Sequence, residues 1–448
     1  MALRLSLRKQ TSSGSFRDIS ACTLPGSFNF VELTMIKSSA VAKWRISATA
    51  LACCTLIQAG HAQSDNRGAA LRETEAPVLS MPIQRGDTWI VEAKTADGST
   101  HRLLLDTGAA FNVFGLQGPL APTPLTHEAE QTLLKQGTLR NPIKGIVELN
   151  AISSSKSTTL GLSPALRIQG WSLPAGKLAM REDPAAISAA GDATFEGILG
   201  ADSMRELTWR GDHIAGTLAG YAGAAPAHDW QQCVFMGLDP EQRLPILEVG
   251  FADNSRFVIL DTGAELDISL PKETFNALSR AKRFAGMGST FQIDITNQIT
   301  ERPVGLLPGL KIGQQTLPKL AATSGSTWPR VGTGLLAKMD RFEIDLRHYR
   351  FCFDLSPKAM DSGLDSAGAA LLRKDTRYAI AAISRKGRMG LSGAKVGDLI
   401  TMVGQRSTDK LSYDDIYAML VDPAVTQITV ERGGHTKVIA LKAPLKPR

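Results

Sequence analysis

Short apolar runs interrupted by Gly, Pro, Asn and Ser recur along most of this chain, and few stretches keep a helical period. Two of the runs are laid out alike. Trp89-Ile90-Val91-Glu92-Ala93 leads to a turn at Asp97-Gly98, and Leu103-Leu104-Leu105 then runs into Asp106-Thr107-Gly108-Ala109. Further along, Ile246-Leu247-Glu248-Val249 leads to a turn at Asp253-Asn254, and Phe257-Val258-Ile259-Leu260 runs into Asp261-Thr262-Gly263-Ala264. Each copy predicts a β-hairpin whose second strand carries an aspartate at its end.

The likeness continues downstream. The stretch from Leu166-Arg167-Ile168 to Leu173-Pro174 parallels the stretch from Leu310-Lys311-Ile312 to Leu317-Pro318. Gly197-Ile198-Leu199-Gly200 is matched to Gly332-Thr333-Gly334-Leu335-Leu336, and a short polar turn and a strand follow in each copy, at Glu206-Leu207-Thr208-Trp209 and from Arg341 to Leu346. Four landmarks in one order indicate duplication. The best helix signal is residues 272–280, opened by Pro271. Asp202 and Asp340, after the late glycine loops, read as caps of short helices. The expectation is a mainly β body of two homologous lobes, residues 80–215 and 244–355, joined by a connector at 216–243 that includes the strand-like Cys233-Val234-Phe235.

After residue 355 the pattern changes. A small-residue linker at 356–368 precedes a region at 360–446 with its own signals. These are a strand at Tyr378-Ala379-Ile380-Ala381-Ala382-Ile383, a turn and strand from Gly393 to Ile400, and a helix from Ser412 with Asp415 placed for a capping box. A closing hairpin turns at Arg432-Gly433-Gly434-His435. This region is expected to fold alone.

The length of 448 residues, with 43% hydrophobic and 21% charged residues, suits two or three globular domains. The formal charge of +7 is unevenly placed. Residues 1–62 hold 7 Lys or Arg against 2 Asp or Glu, whereas the rest hold 43 against 41. The body is therefore nearly neutral, which argues against nucleic acid as a partner.

The basic excess belongs to a leader. A charged segment at 35–45, an apolar run at 46–57 and Ala59-Gly60-His61-Ala62 follow the order of a secretory signal peptide, residues 35–62, with translation starting at Met35 rather than Met1. The run is too short for a permanent span, so the mature chain is expected to have no transmembrane helix and to be extracytoplasmic, in the periplasm. A lipid-anchored form, through Cys53 after Ala50-Leu51-Ala52, is the minor alternative. Outside the leader only Cys233 and Cys352 remain, readable as one disulfide bridge or as two buried small hydrophobes. No cysteine pair has metal-site spacing, and neither a metal nor a cofactor is expected.

The repeated Asp-Thr-Gly carries the chemistry. Three apolar residues draw the strand into a core, and a carboxylate emerging at its edge is costly unless it is bonded or paired. The glycine is expected to turn the backbone tightly and present N–H groups to the carboxylate, with the threonine hydroxyl bracing the turn. Two such loops about an approximate two-fold axis would set Asp106 against Asp261, where one proton is shared. One carboxylate then serves as a base towards water and the other as an acid towards a carbonyl. Glu265 reads either as a solvated loop charge or as a group that tunes the pair.

With Gly197-Ile198-Leu199-Gly200, these motifs resemble the aspartic proteases over residues 80–355. Ala109 and Ala264 after each glycine are similar to the retropepsin-like branch, and two lobes in one chain are similar to the pepsin arrangement. The resemblance implies an aspartic endopeptidase acting on a peptide or protein, with Asp106 and Asp261 catalytic. Thr107 and Thr262 would be a cross-braced floor, and Gly108 and Gly263 the tight turns. It also implies flap hairpins, for which residues 143–159 and 291–304 are candidates. Pepsin-like chains have Ser or Thr where this one has Ala109 and Ala264. Ala110 and Glu265 stand where the retroviral pattern has an aspartate.

Residues 360–446 resemble a PDZ domain through Ser392-Gly393-Ala394-Lys395-Val396-Gly397-Asp398-Leu399-Ile400. That resemblance implies a C-terminal peptide as ligand, with Gly368-Ala369-Ala370-Leu371 as the closest carboxylate loop. The chain has no His-Glu-x-x-His, phosphate loop, nucleophile elbow or Cys-x-x-Cys. The competing expectation is therefore an inactive extracytoplasmic protein that binds peptides in the cleft and at the PDZ-like region.

Overall fold

The computed structural model describes residues 76–443 except 136–145, 151–154, 183–194, 240–242, 252–253, 294–297 and 375. They belong to one compact unit, Glu73–Arg448. The signal peptide, Cys53 and the alternative start sites lie outside the described residues.

The fold is mainly β with mixed sheets, as the dense short strands foretold. The largest sheet begins at Leu79–Pro82 and passes through Thr217–Tyr221, Thr208–Asp212, Met339–Asp345, Arg350–Leu355 and Gln232–Leu238. It continues through Pro245–Phe251, Asn254–Leu260, Arg330–Val331 and Ile268–Leu270 to Leu320–Ser324, Ile299–Leu307 and Met287–Ile293. Thr217–Tyr221, inside the expected connector, is thus an integral strand, with Leu218 and Tyr221 buried.

A second sheet places Thr100–Asp106 between Ile90–Lys94 and Gly197–Gly200, and Asn112–Phe114 lies beyond. Because this strand is flanked on both edges and covered on both faces, Leu103, Leu104 and Leu105 are all buried rather than alternating. The two sheets share one continuous core. Within the largest sheet, the strand Thr208–Asp212 of the first copy meets Met339–Asp345 of the second, with Trp209 paired to Ile344 and Gly211 to Phe342 in antiparallel register. A Cβ on Gly211 would strike the Phe342 ring, which stacks on Trp89 at 5.6 Å.

The hairpin expectations hold: Ile90–Lys94 pairs with Thr100–Asp106, and Pro245–Phe251 with Asn254–Leu260. The helix Lys272–Arg280 forms directly after Pro271. Asp202 and Asp340 cap nothing, contrary to expectation. The short helices Ala201–Met204 and Thr333–Leu336 begin at Gly200 and Gly332 without a side-chain cap. Asp202 sits in the first turn, 3.7 Å from Arg205 Nε, and Asp340 lies in the strand Met339–Asp345, paired with Arg85.

Cys233 and Cys352 face each other across Gln232–Leu238 and Arg350–Leu355 and form a disulfide. Residues 369–440 build a third sheet with a separate core around Leu371, Ile380, Ile400, Ile416 and Ile428. Its helix Tyr413–Val421 opens with the expected capping box of Ser412 and Asp415. Its other end rests on Arg388, a buried side chain that donates to the carbonyls of Leu420, Asp422, Val425 and Lys442. Among the described residues, no helix is long and apolar enough to cross a membrane.

Candidate functional site

Both Asp-Thr-Gly loops leave central strands and meet. Gly197–Gly200 runs parallel to Thr100–Asp106 with Gly200 opposite Asp106, and antiparallel to Asn112–Phe114. Arg330–Val331 runs parallel to Asn254–Leu260 and antiparallel to Ile268–Leu270 in the same manner. In each copy the glycine after the third strand tucks under the loop. Ala201 N donates to Ala109 O at 2.7 Å, and Thr333 N to Ala264 O at 2.8 Å. Each aspartate is therefore held by three strands of its own half.

The threonines reach across rather than within. Thr107 Oγ1 donates to Leu260 O at 2.6 Å and accepts from Thr262 N at 3.0 Å. Reciprocally, Thr262 Oγ1 donates to Leu105 O at 2.9 Å and accepts from Thr107 N at 3.0 Å. Both are buried. The hydroxyls brace the opposite loop, not their own turn, and so fix the spacing of the two loops.

The glycines also serve differently from expectation. Neither Gly108 nor Gly263 has a positive φ. A Cβ on Gly108 would overlap the Asp261 carboxylate, and one on Gly263 would overlap that of Asp106. Glycine is required because the opposite carboxylate lies flat on it. The expected N–H to carboxylate bond is present in the first loop, where Gly108 N donates to Asp106 Oδ1 at 2.7 Å.

Asp106 is partly open to solvent and Asp261 only 4% exposed. Burial, then the negative charge of Asp261 and the hydrogen bond to it, push the Asp106 carboxyl up to about 8. The direction favours a proton held on the Asp106 side of the pair. Asp261 meets a cation that the sequence pattern does not announce: Arg330 Nη1 lies 2.8 Å from its Oδ2. The match of Gly197–Gly200 to residues 332–336 was displaced. By strand register Ile198 pairs with Leu104 and Arg330 with Ile259, each two residues before the aspartate, so Arg330 is the counterpart of Ile198 and Gly332 that of Gly200. A charge at a position that is apolar in the other copy was the available signal.

Glu265 is exposed and accepts a hydrogen bond from Thr88 Oγ1, so it joins the two halves at the site's rim. The flap candidates are both hairpins. Ile146–Asn150 pairs with Ser155–Leu162, and Met287–Ile293 with Ile299–Leu307. Gly368 has φ of 63° and opens the edge strand Ala369–Lys374, but its N–H is already bonded to Asp365 Oδ1 at 3.0 Å. Among the described residues, no group of three or more His, Cys, Asp or Glu side chains converges as a metal site would require. No protein-family model matches this chain, and a search of curated proteins finds no match.

Proposed function

We propose that this protein is an aspartic endopeptidase with two lobes, residues 80–215 and 244–355, around a peptide cleft. The observation that carries the reading is the reciprocal interlock of the two Asp-Thr-Gly loops. It sets two carboxylates within hydrogen-bonding reach of each other, with a proton on Asp106. A water between them would give a proton to Asp261 as its oxygen attacks the peptide carbonyl. The Asp106 proton goes to the carbonyl oxygen. Collapse of the gem-diol then breaks the C–N bond, with the proton held by Asp261 passing to the departing amine and one gem-diol hydroxyl returning its proton to Asp106. The hairpins Ile146–Asn150/Ser155–Leu162 and Met287–Ile293/Ile299–Leu307 occupy corresponding places in the two copies and are suited to closing over substrate.

The region from residue 360 is proposed as a PDZ-like module, supported by its separate core and its edge strand Ala369–Lys374. The bond that occupies Gly368 N weighs against that glycine as a carboxylate donor. The leader pattern and the Cys233–Cys352 disulfide support a place outside the cytoplasm. A second reading, a cleft that binds peptides without cutting them, is favoured by one observation: Arg330 already engages Asp261. The test is a diverse peptide library with mass-spectrometric detection, comparing wild type, Asp106→Asn and Asp261→Asn across pH. Cleavage lost in each folded variant supports the endopeptidase. Undiminished cleavage in Asp106→Asn overturns the assignment, and peptide affinity with no cleavage in any of the three supports the second reading.

A further inference from the structure

The two loops are near copies, yet their surroundings differ at one position. Ile198 in the first half is 1% exposed and packs with Leu104 and Val113. Its register counterpart, Arg330, lies on the strand Arg330–Val331 between Ile259 on one side and Ser269 on the other. Its side chain is 13% exposed, and its buried Nε has no hydrogen-bond partner. Desolvating a guanidinium and leaving a donor unbonded is costly, and the Ile198 copy shows that the strand position accepts an apolar side chain. A purely structural account of Arg330 therefore fails. What distinguishes it is its bond to one carboxylate of the pair.

We infer that Arg330 is a positioning residue that makes the dyad unequal, holding Asp261 as the ionised base and leaving the shared proton on Asp106. The inference rests on the endopeptidase reading for its catalytic meaning, but not for its electrostatics. In an equal pair the proton can sit on either carboxylate, and neither has a fixed role as acid or base. A guanidinium on one oxygen of Asp261 removes that degeneracy before substrate arrives.

The charged groups that act on Asp106 include Asp261, which raises its carboxyl, and Arg330, which lowers it. Other charged groups on the packed elements are Glu265, Asp267 and Arg302, the last with a buried Nε that has no hydrogen-bond partner. Glu265 is bonded to Thr88, Asp267 accepts from Ala321 N and Ser362, and Arg302 lies against Gly325. Removing the guanidinium therefore leaves the pair holding its protons to higher pH. Both limbs of a pH profile should move upward by roughly 1–3 units, the usual effect of an adjacent opposite charge.

The experiment compares wild type, Arg330→Ile, which copies Ile198, and Arg330→Lys, which keeps the charge. Two readouts are taken on protein whose fold is checked by near-UV circular dichroism: the carboxyl 13C titration of labelled aspartates, assigned with Asp106→Asn and Asp261→Asn, and the pH dependence of peptide turnover. Arg330→Ile should shift the dyad titration and both limbs upward together, and Arg330→Lys should restore most of the shift. Unchanged titration in folded Arg330→Ile overturns the inference. If wild type cuts no peptide at any pH, the endopeptidase reading fails, and the carboxyl titration still decides the role of Arg330. If Arg330→Ile does not fold, Arg330→Lys and Arg330→Gln are compared, and equal titrations for those two overturn the inference.

Discussion

Gly108 lies flat against the carboxylate of Asp261, so close that a methyl group on it would overlap that side chain. Gly263 stands in the same relation to Asp106. Each loop thus forms the seat for the other's carboxylate, and neither half has a complete site alone. The glycines are specified by what approaches them and not by a left-handed backbone. Gly108→Ala or Gly263→Ala should push the opposite aspartate off its seat. We expect peptide turnover to fall by ~100-fold or more, because a displacement of about 1 Å is enough for such a loss. Thermal unfolding should change less than turnover. A variant that keeps near wild-type turnover would show that the loops do not seat each other's carboxylates.

The cross-brace makes a sharper prediction, because threonine supplies a donor and an acceptor at once. Thr107→Val keeps the shape but leaves Leu260 O without its donor and Thr262 N without its acceptor, both in a buried place. The cost should be about 2–6 kcal/mol, the sum for two buried groups left without partners. Thr107→Ser keeps the hydroxyl and should lose about 1 kcal/mol for the missing methyl. Chemical denaturation of both variants checks this. Equal losses for Val and Ser would mean that packing, not the hydroxyl, sets the spacing.

The disulfide joins residues 119 apart in sequence, across the pair Gln232–Leu238 and Arg350–Leu355. In the chain-entropy account a loop of that length is worth about 4–5 kcal/mol. Replacing both cysteines by serine should lower the midpoint of denaturation accordingly, and a strong reductant should do the same to wild type. Reductant should have no effect on the double variant. A reductant-sensitive midpoint in the double variant would refute the assignment of the effect to this bridge.

The local patterns were legible where one residue type has one physical meaning. Leu103-Leu104-Leu105 before Asp106, Pro271 before a helix and Ser412 three residues before Asp415 each announced their element. Alternation failed at the central strands because both faces are covered, so three consecutive leucines are buried. The cross-brace was not derivable from either loop alone. Thr107 bonds to Leu260 and Thr262 across 153 and 155 residues, and only the pairing of the halves reveals the partner. Arg330 was hidden by a different cause. A strand of two residues preceded by Pro329 carries almost no pattern, so the glycine that follows was matched out of register. Asp202 and Asp340 read as caps in the sequence because composition near a helix does not say which residue is first in it.

Asp398 carries a pH dependence that is independent of the dyad. Its carboxylate is 1% exposed, accepts from Arg432 Nε at 2.6 Å and Nη2 at 2.7 Å, and accepts from Lys395 N at 2.9 Å. Against the opposing cost of burial, these bonds hold its carboxyl below the usual carboxylate range. A lowered folded value means stability that is present above the unfolded value, about 3.9, and lost as pH falls through the folded one. Asp398→Asn should therefore destabilise the residue 369–440 core by about 2–3 kcal/mol at pH 7. The gap to wild type should close below about pH 4. Hydrogen exchange of the strands Leu399–Val403 and Gln427–Arg432 resolves this core from the rest. A gap that persists unchanged at pH 2 would contradict the linkage.

The last prediction concerns where the chain can be cut. The region from residue 360 has its own core, yet the segment leading into it is bonded to the half that carries Asp261. Asp361 pairs with Lys319 at 2.8 Å, Ser362 N donates to Lys319 O at 2.8 Å, and Ser362 Oγ donates to Asp267. Asp267 in turn accepts from Ala321 N and lies against Gly334, in the shell that supports the second Asp-Thr-Gly loop. A truncation ending at Ser356 removes these bonds, whereas one ending at Gly363 keeps them. Beyond that point, the half-buried Asp365 lies beside Gly368 N, Tyr417 and Thr290, and desolvation raises its carboxyl. Thr290 belongs to the hairpin strand Met287–Ile293, which packs beside Ala369–Lys374. We expect the Gly363 truncation to keep the fold and most of the turnover on a short peptide. The Ser356 truncation should be less stable by about 1–3 kcal/mol, the cost of stripping a few partly buried hydrogen bonds. Thermal unfolding and turnover of both are compared with the full chain. Equal behaviour of the two truncations would show that the 357–363 segment is only a tether. Unfolding of both would make the last sheet part of the body's own support.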